Sequence, residues 1–123
     1  ANISLKKDKN LPKPVALILY NPAINIPPQD KIKDNYFRDY FRDPGKGPLS
    51  EFPPCIIMHG TKDKVVPFDW ISDFVENLKS KGIDCVLEIY HDKEHGFFNK
   101  NISNDDYLKT NENIDFFLKS RGL

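Results

Sequence analysis

Two short stretches of the sequence concentrate residue types that could do chemistry. Asp63 closes the turn Gly60-Thr-Lys-Asp63 after one apolar run, and Asp92, Glu94 and His95 follow the next apolar run, one helical stretch later. A carboxylate beside an imidazole is the orienting half of a nucleophile–histidine–acid triad. The carboxylate fixes the ring tautomer and supports the positive charge that forms when the ring takes a proton. Alone, neither residue carries that reading. An aspartate in a turn after a strand commonly forms the turn or caps a helix, and a lone loop histidine is commonly a surface residue. What raises Asp63 and His95 together is their placement at the carboxyl ends of successive strands, where α/β sheets carry their sites.

The elements that would hold these loops are legible from hydrophobic spacing. Val15-Ala-Leu-Ile-Leu-Tyr20 is an unbroken apolar run, as expected of a strand covered on both faces, and Asn21-Pro22 stops it. Cys55-Ile-Ile-Met-His59 is a second such run. Phe68–Lys81 reads as an amphipathic helix through Trp70, Ile71, Phe74, Val75 and Leu78, with Pro67 at its start and Gly82 at its stop. Ile83–Tyr90 is a third strand. Asp106–Ser120 is a last helix with Tyr107, Ile114, Phe117 and Leu118 as its stripe and Gly122 beyond its end. Strand, helix, strand, helix with buried-type strands predicts an α/β layer with parallel pairing. The loops after Tyr20, His59 and Tyr90 then become the candidate site loops.

Between Asn21 and Pro54, seven prolines and two glycines break the pattern and leave room for one short helix, Ile32–Phe41. Tyr36, Phe37, Tyr40 and Phe41 would form its aromatic face, either packed on the core or walling a substrate pocket. The polar, proline-bearing residues 6–14 read as a solvated connector.

Composition narrows the function classes. The chain has 123 residues, enough for one domain, with 18 basic and 18 acidic side chains, so there is no basic stripe for nucleic acid or anionic lipid. Its longest apolar runs fall far short of the roughly 20 residues a bilayer span needs. Cys55 and Cys85 make no disulfide framework and no C-x-x-C pair. They open neighbouring strands and read as free buried thiols.

His59-Gly-Thr-Lys-Asp-Lys-Val-Val-Pro67, followed at this interval by Glu94-His-Gly-Phe-Phe98, resembles the C-terminal part of the α/β-hydrolase fold. The similarity is greatest to the esterase/lipase branch that includes acetyl-esterase-related and feruloyl-esterase-like enzymes, near the dienelactone hydrolases. The resemblance implies that Asp63, in H-G-x-x-D-x-x-V-P, is the triad acid and that His95, in H-G-F, is the triad histidine. It implies about three parallel strands with flanking helices. Val15–Tyr20 would be the family's sixth strand, and Gly47–Pro54 the lead-in to the seventh. His59, inside the H-G, is expected to be structural, and His91 matches no family role.

The sequence departs from the family in lacking the nucleophile elbow G-x-S-x-G. None of Ser4, Ser50, Ser72, Ser80, Ser103 or Ser120 has glycines at that spacing, and the glycine-rich oxyanion segment is missing too. Ala1-Asn-Ile-Ser4 looks like the tail of the helix that follows the elbow. The expectation is therefore a single partial domain. In it, residues 1–14 are the end of the nucleophile helix and a connector, 15–54 a strand and long loop, and 55–123 the strand–helix–strand–helix unit with acid and histidine. The implied activity is carboxylic-ester hydrolysis with water as second substrate, no metal and no cofactor, and a fragment inactive by itself. The alternatives are a serine peptidase of the prolyl-oligopeptidase type and a non-catalytic binding or assembly module on a hydrolase-derived core. An exposed sheet edge along Val15–Tyr20 would favour self-association.

Overall fold

The computed structural model describes Pro12, residues 14–24 and residues 52–123. The short helix expected over Ile32–Phe41, with its aromatic face, and the helix tail at Ala1–Ser4 lie outside the described residues. Three strands, β1 (Leu17–Tyr20), β2 (Cys55–Gly60) and β3 (Cys85–Tyr90), form one parallel sheet in the order β1-β2-β3. Helix α1 (Phe68–Ser80) links β2 to β3, and helix α2 (Asn104–Lys119) comes after β3.

Every residue of the central strand β2 is buried, which is why it reads as an unbroken apolar run. Strand side chains alternate between faces, and the two faces of this sheet have different covers. Leu17, Cys55, Ile57 and Cys85 pack with Ile71, Phe74, Val75 and Leu78 of α1. Met58 and Tyr90 pack on the other side with Phe97, Phe98, Tyr20 and Ile114 of α2. Each buried α1 side chain contributes about 1.5–3 kcal/mol. That outweighs the missing side-chain cap at Pro67, since an N-cap is typically worth about 1 kcal/mol. At the far end, Arg121 stacks on Phe117 at 4.0 Å and bonds both Asp84 oxygens, tying the end of α2 to the start of β3.

Element boundaries shift by a few residues, each for an identifiable reason. The first strand begins at Leu17, not Val15. Leu17 is the register partner of Cys55, where β2 starts, and Val15 stays 71% exposed. The third strand begins at Cys85, because the Ile83 N–H turns back to the Leu78 carbonyl and the Gly82 N–H to Lys79, closing the α1 C-terminus. The last helix begins at Asn104, because the Ser103 hydroxyl accepts the Asp106 N–H at 3.2 Å and caps the first turn.

Candidate active site

The strand ends deliver the site loops to one level. Gly60 pairs with Tyr90 in register, so the turns after β2 and β3 leave the sheet side by side. Backbone bonds then join them. The Thr61 N–H donates to the Tyr90 carbonyl at 3.1 Å and the Lys62 N–H to the Lys93 carbonyl at 3.0 Å. The Asp92 N–H donates to the Thr61 hydroxyl at 2.9 Å, with Asp92 in the left-handed region at φ 60°. Gly60 is required at this junction by space, since a Cβ there would strike the Lys93 carbonyl group.

Within this frame Asp63 is gripped from two sides. Its side chain is fully buried. Oδ1 accepts the N–H groups of Val65 at 2.9 Å and Val66 at 2.8 Å. Oδ2 lies 2.9 Å from His95 Nδ1. Burial pushes the Asp63 carboxyl up, but the Val66 N–H, the His95 ring and the Val65 N–H together outweigh it and hold the group below its ordinary value. Asp63 is thus a carboxylate, which can only accept, so His95 Nδ1 carries the hydrogen, and in the neutral ring Nε2 keeps its lone pair. The His95 side chain is 43% exposed.

The His95 loop is anchored by the three residues after the histidine. Gly96 takes φ 82°, a conformation side chains resist, and lets the chain turn so that Phe97 plugs the core against Tyr90 at 4.5 Å. Phe98 stacks on Tyr20 at the end of β1, 4.4 Å between ring centres. The adjacent carboxylates of the same loop do not reach the imidazole partner position. Asp92 pairs with Lys62 at 3.1 Å and Glu94 with Lys64 at 3.8 Å, all on exposed side chains. His91 is exposed at the start of that loop.

Two features escape a reading of the sequence. His59, expected as a structural residue only, is completely buried directly beneath Asp63. Its Nε2 is 2.9 Å from the Val66 carbonyl and 3.6 Å from Asp63 Oδ2. Asn21, read as part of a strand stop, is 5% exposed at φ 41°, and neither polar atom of its amide has a partner among the described residues. The signal for Asn21 is its type, because asparagine is enriched at positive φ. Cys55 and Cys85 are neighbours in register at the opposite end of the sheet, both free and buried. The hydrogen bond to Cys85 and burial push the Cys55 thiol far up, so it stays protonated. Among the described residues, no group of three or more His, Cys, Asp or Glu side chains could hold a metal ion, and no helix is long and apolar enough to cross a membrane.

Residues 24–121 match the model of the prolyl oligopeptidase family. No curated protein sequence matches significantly. Among solved structures, the chain is similar to esterase 2 of the planctomycete Thermogutta terrifontis. Its apo form is 34% identical with a TM-score of 0.68, covering 88% of this chain and 42% of that one. The native form is 35% identical with a TM-score of 0.70, covering 88% and 42%. The form phosphonylated by sarin is 34% identical with a TM-score of 0.69, covering 88% and 44%. The fold is that of the α/β-hydrolases, and the chain spans less than half the length of the esterases it matches.

Proposed function

This chain belongs to the prolyl oligopeptidase family, and from that premise we propose that Asp63 and His95 are the acid and base of a serine-dependent carboxylic-ester hydrolase. The observation that carries the reading is the 2.9 Å bond from His95 Nδ1 to a buried carboxylate, which leaves Nε2 as a proton acceptor on a half-exposed ring. His95 takes the proton of a serine hydroxyl as it attacks the ester carbonyl, then returns a proton to the leaving alcohol. Water repeats the cycle on the acyl-enzyme, and Asp63 keeps the ring oriented and supports its charge throughout. The serine and the oxyanion donors come from residues outside these 123. Ser80, Ser103 and Ser120 each commit their hydroxyls to helix backbone.

Ester rather than peptide cleavage is favoured by the likeness, over 88% of the chain, to an enzyme named as an esterase. That its relative is phosphonylated by sarin fits the same chemistry, since attack on an organophosphorus centre needs an activated nucleophile. The test is hydrolysis of a short-chain p-nitrophenyl ester by the full-length protein, beside a peptide p-nitroanilide. Ester turnover that disappears in His95→Ala is expected. Preferential cleavage of the anilide would move the assignment to peptidase, and wild-type turnover by His95→Ala would overturn it. The 123 residues by themselves should turn over neither substrate.

The outer edge of β1 has no strand beside it among the described residues, and Ile18 is exposed upon it. Such an edge supports self-association of the isolated chain. Light scattering on dilute protein should report species larger than a monomer, and a stable monomer would refute this.

A further inference from the structure

We propose that His59 is a positioning residue for the Asp63–His95 pair: through the Val66 carbonyl it fixes the turn whose two N–H groups hold the Asp63 carboxylate. The inference rests on the reading of Asp63 and His95 as acid and base.

Three contacts make one chain of cause. The Val66 carbonyl can only accept, so the 2.9 Å contact requires a hydrogen on His59 Nε2. The Val66 N–H, on the same residue, donates to Asp63 Oδ1 at 2.8 Å. The same His59 Nε2 lies 3.6 Å from Asp63 Oδ2, the oxygen that receives His95. His59 therefore acts on the Asp63 carboxylate by two routes, at long range across 3.6 Å and through the turn that grips its other oxygen. Releasing the Val66 carbonyl would free that turn to rotate and would let Oδ2 drift from His95.

A packing role alone does not explain a histidine here. The ring is fully buried, and its Nδ1 has no hydrogen-bond partner among the described residues. A buried unpaired acceptor is a cost that leucine or phenylalanine would avoid. Burial also pushes the ring below its ordinary pKa, so it stays neutral and adds no charge that would compete for Asp63. The imidazole is kept for its one N–H, placed at the end of β2 where the strand holds it rigidly. It touches neither substrate nor reacting atoms, and its effect passes through Asp63.

The experiment compares His59→Gln and His59→Leu with His95→Ala in the full-length protein, on a p-nitrophenyl ester. Glutamine can present its Nε2–H to the Val66 carbonyl, and leucine cannot. Expected is a leucine variant that folds but loses about 10²-fold in kcat, the scale of a small misplacement of a catalytic group, with KM unchanged. The glutamine variant should recover most of that loss. A mere packing role would lower thermal stability and leave kcat of the folded protein intact. A folded leucine variant with wild-type kcat, beside an inactive His95→Ala, overturns the inference while sparing the triad. An active His95→Ala overturns the triad reading itself. Where the leucine variant fails to fold, the long-range 15N–1H histidine spectrum of the wild type decides. A neutral Nε2–H tautomer of His59, with rescue by glutamine, supports the proposal. An Nδ1–H tautomer, or a folded glutamine variant as impaired as His95→Ala, refutes it.

Discussion

Replacing Asp63 by asparagine separates the electrostatic role of the carboxylate from its role as a structural acceptor. The amide oxygen can take the place of Oδ1 and keep the Val65 and Val66 N–H bonds at 2.9 and 2.8 Å, so the turn survives. The amide nitrogen then occupies the Oδ2 position, 2.9 Å from His95 Nδ1. Two donors cannot face each other, so the ring must move its hydrogen to Nε2 and lose the lone pair that accepts the serine proton in the proposed mechanism. The carboxylate's support of the imidazolium is lost as well. At an effective dielectric near 20, unit charges at this separation attract by about 5–6 kcal/mol, and partial exposure of His95 reduces that figure. A loss of about 10⁴-fold in kcat is expected, the scale seen when a triad aspartate becomes asparagine in other hydrolases, or about 5 kcal/mol. The assay is ester hydrolysis by the full-length protein, with circular dichroism to establish folding. A folded Asp63→Asn within about tenfold of wild type would refute the argument. Asp63→Ala should instead cost stability, by about 1–3 kcal/mol, because it strands the buried Val66 N–H and the partly buried Val65 N–H.

The other predictions concern the frame. Gly60→Ala should destabilise by about 1–3 kcal/mol, as overpacking commonly does, because its Cβ meets the Lys93 carbonyl carbon at 2.7 Å; a melting temperature equal to wild type would contradict it. Asn21→Gly should be at least as stable as wild type, while Asn21→Ala loses about 1 kcal/mol at φ 41°, and urea unfolding that ranks alanine above glycine would be inconsistent with this backbone. Asp63 titrates below its ordinary value because the Val66, His95 and Val65 hydrogen bonds outweigh its burial. A depressed folded-state pKa contributes stability above the unfolded carboxylate pKa and loses it as pH falls through the folded value. The urea midpoint of the wild type should therefore fall on acidification more steeply than that of Asp63→Asn, and parallel curves would count against the shift.

The frame is readable in the sequence because periodicity and burial coincide here. In β2 both faces are covered, so the apolar run Cys55–Met58 is unambiguous, and α1 presents a clean stripe from Ile71 to Leu78. Legibility fails where a polar group's partner is three-dimensional. Val15 is as apolar as its neighbours, yet lies before the first residue that β2 can pair. The helix start at Asn104 is written in Ser103-Asn-Asp-Asp106, a capping signal, but the apolar stripe begins further on. His59 is opaque for a deeper reason. Its type and place in H-G say nothing of the Val66 carbonyl, which reaches it only after the chain has turned through Asp63.

The parallel register itself accounts for the site. His59 pairs with Ile89 and Gly60 with Tyr90, so β2 and β3 end together, and their turns begin at the same height. From there Asp63 and His95 need only short loops to meet, and the bonds from Thr61 and Lys62 to Tyr90 and Lys93 fix the spacing of those loops. A one-residue slip of β2 would turn Met58 onto the α1 side and the His59 ring away from Val66, since strand side chains alternate. It would also remove the glycine from the one position where the Lys93 carbonyl crosses close to the strand. Core packing and site geometry therefore impose the same register. The exposed cross-loop pairs Lys62–Asp92 and Lys64–Glu94 add little, since surface ion pairs are worth about 0–1 kcal/mol. The alignment of acid and histidine is set by the buried strands beneath them, and the solvent-exposed charges that surround it are secondary.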